Sequence, residues 1–155
     1  MPGRASGHIG YFRAPMGDPP IRICGNTPFS GGCGRLFKST PAQTLHSLSL
    51  LAQLPGDTRG CCAHEHTLSS LMFARAFGPA NVAAAAYPAW CESRRAGGLP
   101  TLPSSIAREP QVNPFLRCGA PAVTHRARGH GAPSGDAMAV LAARAAMSEW
   151  KNEFR

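Results

Sequence analysis

The sequence predicts a mixed α/β fold, in which part of an α/β sandwich is followed by a smaller helical region. Two observations lead to this prediction. Up to residue 64, short apolar segments of strand length occur together with one segment of helical pattern, whereas the segments after residue 64 have helical composition. Apolar residues make up 43% of the 155 residues, which is typical of a globular chain, and no apolar run is long enough to cross a membrane.

Three segments of the first part are predicted to be β-strands. Residues 7–13 alternate loosely, residues 21–24 are a short apolar run, and residues 58–64 form a third strand that Gly60 weakens. A Gly-rich loop over residues 29–37 follows the second strand. Because this loop lacks the Lys-Ser/Thr ending of a phosphate-binding P-loop, its glycines are expected to allow tight turns or close approach to a ligand.

The clearest predicted helix covers residues 40–54. Thr40 and Gln43 form a capping-box pattern, and Pro41 occupies the first helical position. Leucines recur behind it on a roughly helical stripe, and a Pro-Gly pair ends the segment. The pattern therefore predicts both ends of this helix.

Two more helices are predicted in the middle of the chain. The first is capped by Thr67 or Ser69 and ends at Gly78. The second covers residues 81–96, where Pro88 is expected to kink or divide it.

The remaining sequence is predicted to contain an arm, a loop and a final helix. Residues 99–115 are rich in Pro and Ser and are expected to form an ordered arm packed on a surface. Residues 121–133 are rich in Arg, His and Gly, which indicates a surface loop. A helix is predicted over residues 136–154.

The chain is basic, with a formal net charge of +8. Such a balance suits nucleic acid, an anionic membrane surface or an anionic small substrate. The basic residues are scattered, form no cluster longer than Arg94-Arg95 and are not interleaved with aromatic residues, so we predict neither nucleic-acid nor membrane binding. Six cysteines without framework spacing, and an N-terminus without an apolar signal segment, indicate a cytoplasmic protein with reduced thiols.

The stretch CCAHEHTLSS at residues 61–70 carries the strongest chemical signal. If a strand persists through it, Cys62, His64 and His66 share one side, and these residue types are ligands for zinc-like metals. Two other interpretations stay open. The side chains can be a structural histidine and small buried residues at a strand end, or Cys61 or Cys62 can act with His64 as a thiol nucleophile.

Five long stretches carry a family resemblance, and they are PGRASGHI at 2–9, CGNTPFSGGCGRLF at 24–37, LPGDTRGCCAHEHTLSSLMFA at 54–74, GLPTLPSSIAREPQVNPFLRC at 98–118 and WKNEF at 150–154. They resemble the hydroxyacylglutathione hydrolases (glyoxalase II) of the metallo-β-lactamase superfamily. The resemblance implies the second half of an αββα sandwich over residues 1–66. It also implies a C-terminal helical substrate-binding domain over residues 67–155.

The resemblance implies a site for two divalent metal ions, which in the family are zinc, iron or manganese. A metal-bound hydroxide attacks the thioester of an acylated glutathione, commonly S-lactoylglutathione. Of the family's metal ligands, the sequence keeps His64. Arg4 stands at the position of the PGHT histidine, and Asn26 stands at that of the bridging Asp. Arg has no lone pair to donate and Asn carries no charge, so we expect a chain that is truncated relative to the family and catalytically inactive.

The resemblance also implies contacts with the glutathione part of the substrate. Arg35 matches the family's basic residue and Phe37 its aromatic residue. His66 replaces the Tyr of the HEYT motif, Ser70 replaces an Asn on the following helix, and Lys151 matches a C-terminal Lys that meets a glutathione carboxylate.

Two alternatives to a hydrolase remain. One is a glutathione- or partner-binding module without catalysis, and the other is a decayed gene product. A sheet that begins halfway also leaves an unpaired edge and an uncovered apolar face, which predicts self-association through the sheet.

Overall fold

The computed structural model of the chain describes Pro2, residues 5–34 and residues 38–129. These residues form a four-stranded sheet and five α-helices, which confirms the predicted mixed α/β class. The strands are β1 (Tyr11–Arg13), β2 (Ile21–Gly25), β3 (Arg59–Cys62) and β4 (Ser104–Ser105). The helices are α1 (Pro41–Ala52), α2 (Thr67–Phe77), α3 (Val82–Ala96), α4 (Glu109–Val112) and α5 (Pro121–Gly129), with a 3-10 turn over Pro114–Leu116. Within this part of the chain, no helix is long and apolar enough to span a membrane.

The sheet has the strand order β1-β2-β3-β4. β2 and β3 are parallel, and the two outer pairs are antiparallel. The carboxyl ends of β2 and β3 therefore lie at one edge of the sheet. β3 ends at Cys62, so the expectation that a strand persists through residue 64 is wrong.

One face of the sheet exposes apolar side chains. Tyr11 pairs with Ile23 across β1 and β2, and their exposed fractions are 64% and 56%. Side chains alternate along a strand, so Arg22 and Cys24 point to the opposite face and are buried. The predicted self-association through the sheet stays a prediction.

The predicted capping box of α1 is confirmed. The Gln43 backbone N–H donates to the Thr40 hydroxyl at 3.2 Å, and the Thr40 N–H donates to the Gln43 side chain at 2.9 Å. A cap of this kind stabilises a helix by about 1 kcal/mol. The helix buries Leu48 and Leu51 and ends two residues before the predicted end.

The predicted cap of α2 is wrong. The residue before the helix is His66, whose side chain makes no capping hydrogen bond, and Thr67 is already helical. The hydroxyl of Thr67 lies 2.8 Å from that of Thr101, and Ser69 donates to the His66 carbonyl, so neither hydroxyl is used as a cap.

Helix α3 runs continuously through the buried Pro88, so the proline does not divide it. The side chain of Asn81 caps its first turn by accepting from the Ala84 N–H at 3.3 Å.

The segment predicted as an ordered arm packed on a surface is ordered, and it also contributes buried residues to the core. Its residues form β4 and α4, and it buries Glu109 and Asn113 completely. The Gly31 N–H donates to Glu109 at 3.0 Å, and the Asn113 amide donates to the Gly32 carbonyl at 2.8 Å. These bonds fix the arm against the Gly-rich loop, and β4 shows that the chain after residue 64 is not purely helical.

Residues 121–129 form α5 rather than the predicted loop, because Val123 and Ala127 lie one turn apart and are buried in the core. The helix predicted over residues 136–154 lies outside the described residues. The predicted division into residues 1–66 and 67–155 stays a prediction, and β3 pairs with β4 across it.

The main core cluster joins α1, α2, the 3-10 turn and α5. Phe73 stacks on Phe77 at 5.7 Å and on Phe115 at 5.8 Å between ring centroids. A second cluster packs Leu71 of α2 against Tyr87 and Cys91 of α3. These contacts hold α2 in place, and the start of α2 borders the site described next.

Candidate functional site

The candidate site lies where β2 and β3 end side by side. The Ala63 N–H donates to the Gly25 carbonyl at 2.8 Å and joins the two strand ends. Gly25 has a φ of +52°, and a Cβ atom there would lie 2.7 Å from the His8 ring nitrogen Nε2. Both the backbone conformation and the space therefore require glycine at this position.

The turn between β3 and α2 carries two exposed histidines, which lie beside the buried Phe29 of the Gly-rich loop. The ring of His66 meets Phe29 edge-on at 5.1 Å, and His64 lies 6.5 Å from the same ring. The two imidazoles are 5.5 Å apart. The structure thus brings the Gly-rich loop and the histidine turn together.

The predicted set of Cys62, His64 and His66 does not assemble as metal ligands. The Cys62 thiol donates to the His64 carbonyl at 3.4 Å, and burial raises the pKa of this thiol. Across residues 5–34 and 38–129, no group of three or more His, Cys, Asp or Glu side chains is placed to hold a metal ion. A raised thiol pKa also disfavours the thiolate that a nucleophile requires.

The donor set does not fit a binuclear metal centre. The side-chain oxygen of Asn26 is buried and has no hydrogen-bond partner among the described residues, and as a neutral amide it offers no charge to bridge two cations. His64 is the other described residue that the resemblance places at a metal-ligand position, and it is exposed. Arg4, which the resemblance places at a further such position, lies outside the described residues. These assignments stay predictions.

Glu65 ties the histidine turn to the segment before β4. Its carboxylate accepts from the Thr101 N–H at 3.1 Å and from the Thr101 hydroxyl at 2.9 Å, and Arg95 lies 3.6 Å away. The Thr101 N–H, then its hydroxyl and the Arg95 charge, lower the pKa of Glu65.

We expect Glu65→Gln to make stability less dependent on pH in acid. Because the folded state lowers the pKa of Glu65, the ionised carboxylate stabilises the fold at any pH above the ordinary Glu pKa of 4.5. This contribution disappears as the pH falls through the folded-state pKa. The loss at neutral pH should be below about 1 kcal/mol, because solvent screens the pair. Urea unfolding from neutral pH to below the folded-state pKa measures the effect, with exposed Glu92→Gln as the control. Parallel stability curves for Glu65→Gln and the parent would contradict it.

A cavity of about 300 Å³ opens beside the histidine turn. It is lined by Glu65, His66, Thr67, Leu68, Ser69 and Arg95. Residues of the first turn of α2 line this cavity, and the N-cap residue His66 makes no side-chain capping hydrogen bond. The N-terminus of a helix carries partial positive charge. Arg95 comes from the far end of α3, and no motif in the sequence links it to the histidine turn.

The other predicted substrate contacts are placed differently. Ser70 is fully buried in the first turn of α2. It lies close to the Gly-rich loop, since a Cβ atom on Gly31 would be 3.7 Å from the Ser70 Cβ. Arg35, Phe37 and Lys151 lie outside the described residues. The roles of all four as glutathione contacts stay predictions.

The mixed sheet, the histidine turn after β3 and the helical region behind it define the C-terminal part of a metallo-β-lactamase-fold protein. The sequence model of the family described as "Hydroxyacylglutathione hydrolase C-terminus" matches residues 65–154, and the chain belongs to this family.

Curated relatives extend the match over the whole chain. A protein named hydroxyacylglutathione hydrolase from Cupriavidus taiwanensis is 50% identical over 156 residues, covering 100% of this chain and 57% of that protein. One of the same name from Albidiferax ferrireducens is 47% identical, covering 99% of this chain and 59% of that protein. One from Shewanella oneidensis is 51% identical over 117 residues, covering 76% of this chain and 42% of that protein. The chain thus spans little more than half the length of the first two.

Proposed function

We propose that this chain binds the glutathione part of a glutathione thioester in the cavity beside His66, and that the chain alone does not hydrolyse the thioester. The names of the relatives supply the ligand class. The observation that carries the binding proposal is the Arg95 guanidinium in the cavity wall beside the start of α2, although Glu65 lines the same cavity and lies 3.6 Å from Arg95. Glutathione carries two carboxylates, which such donors suit.

The absence of hydrolysis rests on the chemistry of Asn26 and Arg4. A side chain that bridges two divalent cations needs anionic oxygens, whereas Asn26 offers only a neutral amide oxygen, and Arg4 is a cation without a lone pair to donate. We therefore derive no hydrolytic step through metal ions for this chain. The helical region over residues 67–155 is proposed as the substrate-binding part.

Titration calorimetry of the full chain with glutathione tests the binding proposal. We expect measurable binding that Arg95→Ala weakens about fivefold, the loss that follows from removing one partly exposed charged contact. His66→Ala should weaken it as well, because this ring lines the cavity. Arg75→Ala is the matched control, since Arg75 is exposed on the same helix as the cavity wall but away from the cavity. Equal affinity of Arg95→Ala and the parent would rule out this cavity as the site.

Hydrolysis of S-lactoylglutathione by the purified, metal-loaded chain tests the second half of the proposal. We expect no rate above that of the metal-containing buffer. Hydrolysis that His64→Ala abolishes would overturn it. The same assay on Asn26→Asp shows whether restoring the carboxylate at this one position is enough.

A further inference from the structure

Helix α3 and the start of α4 build an arginine–aromatic surface from Tyr87, Trp90, Arg94 and Arg108. The rings of Tyr87 and Trp90 stack at 5.3 Å with an interplanar angle of 19°. The Arg108 guanidinium lies 4.5 Å from the Tyr87 ring centroid and 5.9 Å from that of Trp90. Arg94 lies 5.6 Å from the Trp90 centroid. Two cations are thus held on one pair of aromatic rings.

The guanidinium N–H donors of Arg108 are available to bind another molecule. Arg108 is exposed, and its guanidinium makes no hydrogen bond or ion pair with another described residue. Arg94 uses only its Nε, which donates to the Pro100 carbonyl at 3.2 Å. Stacking on an aromatic ring limits the motion of a guanidinium and leaves its edge open to bind a carboxylate through two bonds.

The surroundings are apolar and positively charged. Trp90 is 46% exposed, and Leu99, which is hydrogen-bonded to Arg94 through the backbone, is 47% exposed. The Leu99 N–H donates to the Arg94 carbonyl at 2.9 Å. Residues 67–129 contain seven Arg and two acidic residues, and one of the two, Glu109, is fully buried. The other, Glu92, is exposed on α3, so the exposed charged side chains of these residues keep a positive balance, which favours an anionic partner.

We propose that the arginine–aromatic surface is a docking site for an acidic segment of a partner protein. Carboxylates of the segment bind the open edges of Arg108 and Arg94, and its apolar atoms cover Trp90 and Leu99. Trp, Tyr and Arg are the residues that carry most of the binding energy at protein interfaces. Single-stranded nucleic acid would need open aromatic faces for its bases, and here Arg108, Arg94 and Tyr87 already lie against the rings.

Fluorescence titration of the full-length chain carrying Trp150→Phe tests this proposal, because Trp90 is then its single tryptophan. The probe is a short peptide of Glu and Asp with one central Leu. We expect saturable binding that changes Trp90 emission and weakens with added salt. Arg108→Ala should reduce the affinity about fivefold, Arg108→Lys should reduce it less, and the exposed Arg75→Ala should leave it unchanged.

Calorimetry on the chain with both tryptophans gives an independent measurement of the same binding. Three results would overturn the proposal. One is the absence of peptide binding at low salt, and another is equal binding by Arg108→Ala and the parent. The third is tighter binding of oligothymidylate or of phosphatidylserine vesicles through the same arginines, which would assign the surface to nucleic acid or to a membrane.

Discussion

Replacing Glu109 with alanine is expected to lower the free energy of unfolding by about 4 kcal/mol, since it removes the acceptor of several buried donors that each cost about 1–3 kcal/mol when unsatisfied. The carboxyl group is fully buried and accepts from the Gly31 N–H at 3.0 Å and the Asn113 amide at 2.9 Å. It also accepts from the Ser104 hydroxyl. The group therefore joins the Gly-rich loop, β4 and the end of α4.

Urea unfolding measures this loss, and two variants locate its cause. Glu109→Gln keeps the size of the side chain and one acceptor oxygen, so it should lose about half as much as alanine. Gln111→Ala changes an exposed residue of the same short helix and should stay within about 0.5 kcal/mol of the parent. If Glu109→Ala unfolds at the urea concentration of the parent, the buried network does not hold the arm in place.

Arg22→Met is expected to raise the free energy of unfolding by about 2 kcal/mol, because a buried charge without good partners costs more than an apolar side chain of similar volume. Arg22 is only 3% exposed, and its Nε and Nη1 atoms have no hydrogen-bond partner among the described residues. Its guanidinium also lies against Gly60, where a Cβ atom would come within 2.7 Å of Nη2.

The neighbouring strand offers a matched control for this change. Arg59 is exposed on β3, so Arg59→Met should alter stability by less than about 0.5 kcal/mol. Thermal and urea unfolding of both variants distinguish two causes of a stability gain. One is the removal of a buried charge, which applies to Arg22→Met alone, and the other is the lower net charge, which applies to both variants. A less stable Arg22→Met would show that the guanidinium is compensated in the fold and contradict the prediction.

Apart from the cap of α2, the elements with local signals follow from the sequence, whereas those that depend on distant contacts do not. The capping box of α1 lies within four residues, so the sequence alone reveals it. β4 is two residues long and is a strand only because it pairs with the distant β3. The same segment is also bonded to the Gly-rich loop through the Gly31–Glu109 pair, which is separated by 78 positions. α5 has only Val123 and Ala127 as buried residues in an Arg-rich sequence, which reads as a loop until the core is known.

The candidate site follows the same division. His64 and His66 were found because they lie in one motif, and the structure places both beside Phe29. Arg95 was missed because it reaches the cavity only when α3 packs on α2. The scattered basic residues likewise gave no sign that Arg108 stacks on rings presented by another helix.

The pairing of β3 with β4 has a consequence for synthesis of the chain on the ribosome. β2 is made before β3 and can pair with it once both have emerged, but the other edge of β3 must wait until α2, α3 and the following arm have emerged. During this interval the backbone of β3 offers unpaired N–H and C=O groups to any neighbouring nascent chain. Completion of the sheet is therefore a late event, and conditions that slow translation between residues 62 and 105 should lengthen the period in which the chain is prone to aggregate.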